Sequence, residues 1–339
     1  MGNAKRILIV TVNWLGDAVM TSPIFKAIKE KYPYGYIAVI CVNRVSGVYQ
    51  TNPYVDETIL FDEKGSHRGL FAKIKFVFAL RKKHFNEVYF IHRSMTRILM
   101  CFLAGIKIRI GYKRLKTAWL MTNEINPSPL ILHRADSYSY IFEQTKIPVT
   151  DKMPKLFFSD ADISYVKNLF KVNNIGLQPV VAVNPAANWP QKRWPYERFA
   201  LLCDRLNKEL NCAIIFIGAA KDSDVIESVM CGMETVPINL CGETNISQLA
   251  ALCSRVNLFI SNDSGPAHVA AAVDANVLAL FGPTAVELTG PRGRNVFIIK
   301  RSVGCAVPCY SQDCADIRCM MSISVDEVYD KAKGILTNG

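Results

Sequence analysis

The chain has no apolar run near the ~20 residues that cross a bilayer as a helix, which argues against a membrane-spanning protein. It has no G-x-G-x-x-G turn and no G-x-x-x-x-G-K-[ST] loop, so neither nicotinamide chemistry nor ATP hydrolysis is favoured. No Ser/His/Asp order and no H-E-x-x-H pair points to hydrolysis. Acidic residues are scarce: 29 Asp and Glu stand against 40 Lys and Arg, a formal net charge of +11. That balance suits an anionic partner, whether nucleic acid, membrane surface or substrate. There is no zinc-finger spacing and no aromatic RNP pattern, so nucleic acid is not expected. The opening "MGNAKRILIVTVNWLGDAV" is not read as a signal peptide, because its apolar core breaks at Asn13 and Asp17 follows without a small-residue cleavage site. Arg6 stands where myristoylation needs Ser or Thr. The expected location is cytoplasmic.

What is plentiful is apolar residues, at 50%, with 20% charged, the balance of a globular chain. At 339 residues, two domains are expected. There are eleven cysteines. Seven are scattered, mostly through apolar segments, where a free thiol behaves as a small hydrophobe. Four crowd into "CAVPCYSQDCADIRC": Cys305, Cys309, Cys314 and Cys319. Their spacing does not match C-x2-C zinc sites, and a local structural role is expected in a reducing compartment, with a bound metal or a labile disulfide as the alternative.

Strands and helices alternate. "RILIVTV" (6–12) reads as a strand, 16–33 as a helix, and "YIAVICV" (36–42) and "ETILF" (57–61) as strands. A helix follows near 69–82, then the strand "EVYFI" (87–91), and residues 121–160 read as less regular. The pattern restarts with "PVVAVNP" (179–185), the amphipathic helix 196–210, "CAIIFIG" (212–218) and a helix near 222–231. The strand "VNLFI" (256–260), a helix from 264, "VLALFG" (277–282) and "NVFII" (295–299) complete it. Such alternation implies parallel βαβ units, and two doubly wound α/β halves are the simplest architecture.

In open α/β sheets ligands bind beyond the carboxyl ends of the strands, so four strand-end loops matter most. In "NWLGDAVMTSP" (13–23), Asp17 opens a helix, as a general base for a nucleophilic hydroxyl or as an ordinary cap. In "NPAANWPQKRWP" (184–195), Asn184 ends a strand, and Lys192 and Arg193 lie between two Trp-Pro pairs, suited to a diphosphate or to surface packing. In "GAAKDSD" (218–224), Asp222 stands where a carboxylate can meet ribose hydroxyls or cap a helix. In "SNDSGPAHVAAAV" (261–273), Ser264, Gly265 and His268 read as a phosphate site at a helix start, with Asp263 meeting hydroxyls.

Gly16-Asp17, "KRWP" and "NDSGPAHVAAAV…ALFGPT" together resemble the lipopolysaccharide heptosyltransferases of glycosyltransferase family 9, most of all the heptosyltransferase II branch. "NPAANWPQKRWP", "FLAGIKIRIGY" (102–112), "LHRAD" (132–136) and the cysteine cluster ending in "CM" are similar too. The resemblance implies a GT-B fold: an acceptor-binding Rossmann-like domain (1–165) and a nucleotide-sugar-binding one (176–320) facing a central cleft. Residues 321–339 would form a helix packing back on the first domain. It implies Asp17 as catalytic base, and Lys192, Asp263, Ser264, Gly265 and His268 around the donor diphosphate, with Asn184 and Asp222 as further donor contacts. Arg93, Lys113 and Arg114 are candidates for the acceptor. The donor would be ADP-heptose and the acceptor the anionic inner core on lipid A, met at the cytoplasmic face of the inner membrane, with no metal or cofactor required. Ala186 stands where the family usually has Gly, which leaves the donor sugar open. Two other readings stand beside this one: a related transferase using another nucleotide-sugar or acceptor, and a catalytically silent sugar-nucleotide-binding protein.

Overall fold

The computed structural model describes residues 4–309, 311 and 313–338. The chain divides into two units, Met1–Lys155 and Leu156–Gly339. The boundary precedes the expected 165–176 region, because the helix Asp160–Val172 packs against the helix Ile246–Cys253 and so belongs to the second unit.

The first unit holds one parallel sheet. Its strands are β1 (Arg6–Val10), β2 (Tyr36–Cys41), β3 (Glu57–Leu60), β4 (Glu87–Phe90), β5 (Ile108–Tyr112) and β6 (Asn123–Ile125). Their order is β3-β2-β1-β4-β5-β6. The central strand "RILIV" is apolar almost throughout, as a strand covered on both faces must be, and Ile7 to Val10 are fully buried. The helix expected over 16–33 is two helices, Leu15–Met20 and Ser22–Lys31, which meet at Thr21 just before Pro23. Proline lacks the N–H a continuous helix would need there but suits a new first turn. Residues 121–160 are more regular than expected, with β6 and the helix Arg134–Glu143.

The second unit repeats the plan with β7 (Val180–Asn184), β8 (Ala213–Phe216), β9 (Ile238–Asn239), β10 (Leu258–Asn262), β11 (Val277–Phe281) and β12 (Val296–Lys300). The order β12-β11-β10-β7-β8-β9, numbered within the unit, is again 3-2-1-4-5-6, the Rossmann order. The strand expected at 256–260 runs instead to Asn262, so its last two residues are polar but still buried. The helix beyond it is only Gly265–Ala271, roughly two turns, so its dipole is a smaller source of positive potential than the sequence suggested.

The C-terminal helix Val325–Asn338 is a correction to the sequence reading. It packs on the helix Tyr196–Leu210, and Val328, Tyr329, Ala332 and Ile335 lie in the core beside Phe199, Leu202 and Leu206. Its apolar face is buried in its own unit, which makes it part of the second unit and not an appendage of the first.

Candidate active site

Each sheet has one switch point where successive connections run to opposite sides, between β1 and β4 in the first unit and between β7 and β10 in the second. Asp17 and Arg93 follow β1 and β4, and Asn184, Lys192, Asp263, Ser264, Gly265 and His268 lie at or beyond the ends of β7 and β10, whereas Lys113 and Arg114 follow β5 and Asp222 follows β8.

In the first unit, Asn13 is held from three directions. The buried Arg97 donates through Nη2 to Asn13 Oδ1 (3.0 Å) and through Nη1 to the Thr11 carbonyl (3.3 Å). Arg44 donates to the Asn13 carbonyl (2.7 Å) while its guanidinium lies 4.3 Å over the Trp14 ring. With its oxygen facing Arg97, the Asn13 amide N–H points at His92 Nε2 (3.0 Å), which must accept, so the ring proton sits on Nδ1. Burial, and then the Arg97 charge, push the His92 pKa down to about 4 from 6.5. The unfolded imidazole therefore takes a proton near pH 6.5 and the folded one only near 4, so stability is lost as pH falls through that window. We expect the melting temperature of the wild type to fall faster than that of His92→Gln between pH 6.5 and 4.5; parallel curves would show that the ring is not held neutral.

This anchored loop leads directly into the helix carrying Asp17. Tyr138 donates its hydroxyl to Asp17 Oδ1 (2.8 Å), and Arg134 Nε lies 3.8 Å from the same oxygen. Both partners come from the helix Arg134–Glu143, the element the sequence left unassigned. Burial, and then the neighbouring Asp17 charge, raise the Tyr138 pKa well above 10, so it remains a donor. Arg93 follows β4, and Lys113 and Arg114 follow β5; all three are exposed beyond the carboxyl ends of the strands, the end of the sheet at which Asp17 follows β1.

In the second unit, Asp263 is almost fully buried and its Oδ2 receives two donors, Lys192 Nζ (2.6 Å) and Thr284 Oγ1 (2.7 Å). The ammonium also lies 5.1 Å from the Trp189 ring centroid. Asn262, which β10 extends to include, clamps the loop around Lys192: its amide donates to the Pro185 carbonyl (2.7 Å) and its oxygen accepts from the Trp194 backbone N–H (3.0 Å). The two tryptophans of this loop differ in role. Trp194 is a core side chain, bonded through its indole N–H to the Ile323 carbonyl (3.0 Å) and packed edge-on against Phe199, while Trp189 attends Lys192.

The family model for glycosyltransferase family 9 (heptosyltransferase) matches residues 74–316. The chain belongs to this family. Lipopolysaccharide heptosyltransferase 2 of Escherichia coli is 26% identical over 313 residues, covering 88% of this chain and 89% of that one. A family 9 glycosyltransferase from Veillonella parvula superposes with a TM-score of 0.90 at 24% identity, over 100% of this chain and 99% of the other. The E. coli ADP-heptose LPS heptosyltransferase II structure gives 0.81 at 23%, over 98% and 99%. The GT-B fold expected from the sequence is thereby shown, and the chain is a glycosyltransferase.

Within this family 9 chain, the remaining expected residues frame the site in different ways. Asn184 uses its amide on Ser264 Oγ (3.0 Å) and Ser261 Oγ (3.4 Å), and its oxygen accepts from the Ala186 N–H (3.3 Å), so it braces the loop. Ala186 is buried. Asp222 accepts from the Ala219 N–H (3.0 Å) and so closes the short turn Ala220–Asp222; at the start of the helix Ser223–Cys231 its side chain makes no cap hydrogen bond. His268 is buried in the first turn of its short helix. Sequence reasoning missed Tyr138, Asn262 and Thr284 as named residues, although the last two lie inside "SNDSG" and "ALFGPT". The four clustered thiols line a cavity of about 380 Å³ with Gln191, Lys300, Arg301 and Arg318. They are unpaired, and among the described residues no three His, Cys, Asp or Glu side chains gather as a metal site requires.

Proposed function

We propose that this glycosyltransferase moves heptose from ADP-heptose to the anionic inner core of lipopolysaccharide, with inversion at the anomeric carbon. The observation that carries the reading is the similarity to lipopolysaccharide heptosyltransferase 2 along 89% of that protein. The reaction needs an acceptor oxygen made nucleophilic and a leaving diphosphate made stable. Asp17 supplies the first. Both of its named partners fall on Oδ1, so the proposed proton acceptor is Oδ2, aimed by Tyr138. The proton passes from the acceptor hydroxyl to Asp17 as the new C–O bond forms and the bond to ADP breaks. One direct displacement inverts the centre.

Lys192 and His268 supply the second requirement, with Ser264 and Gly265 beside them. Charge grows on the ADP oxygens as the sugar takes on oxocarbenium character, and hydrogen-bond donors already fixed in place stabilise it most. Asp263 keeps the ammonium aimed, and the reaction as proposed uses no metal or other cofactor. Arg93, Lys113 and Arg114 are cations suited to the phosphates and acidic sugars of the acceptor, which would be met at the cytoplasmic face of the inner membrane.

Calorimetric titration with ADP, UDP and GDP, then with ADP-heptose, tests the donor. ADP should bind most tightly of the three nucleotides, with ADP-heptose tighter still. Preference for UDP or GDP would keep the fold and overturn the donor.

A further inference from the structure

The helix Leu70–Arg81, "LFAKIKFVFALR", is apolar on both faces. Phe76 and Leu80 enter the core of the first unit, as a helix covering a sheet should. Its opposite face presents Phe71 (88% exposed), Ile74 and Phe78 (58%), spaced three and four residues apart along one ridge. The adjoining helix Met95–Leu103 packs against it and does the same. Arg97, Ile98, Met100 and Cys101 are buried, while Met95, Leu99, Phe102 and Leu103 face outward. Trp119, 67% exposed, meets the Phe102 ring edge-on at 6.1 Å. Neither ridge contributes to the Asp17 site.

The charge around this face is one-sided. The helices Leu70–Arg81 and Met95–Leu103 carry four Lys and Arg, of which Lys73, Lys75 and Arg81 are not buried, and no acid. Lys75, Arg81 and Lys82 flank the first ridge, and the Arg109 guanidinium lies 5.2 Å from the Phe102 ring. A second copy of the chain docked on this face would bring like charges together. A neutral apolar partner would leave the cations unused. Protruding aromatic and aliphatic side chains rimmed by Lys and Arg fit an interface that is apolar in depth and anionic at its surface.

We infer that the outer faces of the helices Leu70–Arg81 and Met95–Leu103, with Trp119, form a docking surface for a bilayer rich in anionic phospholipid. The inference deepens the function proposed above, on which it rests for the presence of a membrane-borne acceptor. The Arg109 guanidinium beside the Phe102 ring forms part of the rim of these two ridges.

The test is co-sedimentation of the full chain with vesicles of phosphatidylglycerol and phosphatidylethanolamine, against vesicles of phosphatidylcholine. The wild type should bind the anionic vesicles, and added salt should weaken the binding. Phe71→Asp/Phe78→Asp should lower vesicle affinity by at least ~10-fold, because insertion scales with buried apolar area. Lys75→Glu/Lys82→Glu should lower it roughly fivefold or more per charge reversed. Both variants should keep the wild-type melting temperature and ADP affinity. Equal binding to both vesicle types, or undiminished binding by the Phe variant, would overturn the inference. So would a concentration-dependent dimer in light scattering that the Phe variant abolishes while the wild type ignores vesicles. Vesicle binding without heptosyl transfer would leave the docking surface standing and remove the proposed activity; transfer to a delipidated acceptor without vesicle binding would do the reverse.

Discussion

Asp17→Ala lowers turnover by about 100- to 10,000-fold, the range lost when a positioned general base is removed, and leaves ADP binding unchanged. The two halves of that expectation follow from the separate frames of the site. Asp17 is held by Tyr138 and Arg134 in the first unit, whereas Lys192, Asp263 and Thr284 hold one another in the second. Stopped assays of ADP release give the first quantity and calorimetry the second. Turnover within about tenfold of wild type would remove the base assignment, since a lost base costs more than that. Tyr138→Phe is the companion variant. It leaves the carboxylate in place and removes the hydroxyl that aims it, so it should reduce kcat with little change in the donor's KM. Equal loss in both variants would show that Tyr138 itself takes part in proton transfer.

Lys192→Met produces two effects that must be separated. It removes the cation proposed for the diphosphate, and ADP affinity should fall at least ~10-fold, as befits a charge-assisted contact. It also strands Asp263, a buried carboxylate, with Thr284 as its remaining hydrogen-bond partner among those described. Breaking a buried pair from one side typically costs about 3–5 kcal/mol, and the partial exposure of Lys192 puts this case near ~3. The double variant Lys192→Met/Asp263→Asn restores much of that stability, because the stranded charge is gone, but it does not restore ADP binding. Melting curves and calorimetry on both variants distinguish a phosphate ligand from a purely structural ion pair. If the double variant recovers both stability and affinity, Lys192 does not touch the donor.

Much of this was legible in the sequence because strand ends are marked by abrupt changes of residue type. The apolar strand β7 stops at Asn184, and a polar, Pro-bounded loop follows; the reading of that loop as functional stood on two Trp and two cations within six residues. What was not legible depended on partners distant in the chain. Tyr138 lies 121 residues from Asp17, and no local pattern ties a tyrosine on one helix to a carboxylate on another. The helix Arg134–Glu143 was hidden by its polar composition and by the prolines before it. Asn262 was missed because it belongs to β10, whose end reads as loop when hydrophobicity alone defines a strand; sheet pairing to Leu280 carries the strand on to it. The two ridges outside the site were obscured by the opposite effect. Periodicity shows that a helix has an apolar face but not that a second apolar face has been left uncovered.

The chain has four tryptophans, and each stands in a different setting. Trp14 lies under Arg44 at the entrance to the Asp17 helix, Trp119 meets Phe102 on the cationic ridge face, Trp189 lies beside the Lys192 ammonium, and Trp194 is sealed in the second core. Indole emission shifts and quenches with local polarity, so this arrangement equips the protein with built-in optical reporters. Retaining one indole at a time, with Phe at the other three positions, would give four forms of the enzyme. Their emission would respond separately to acceptor, lipid, donor and unfolding.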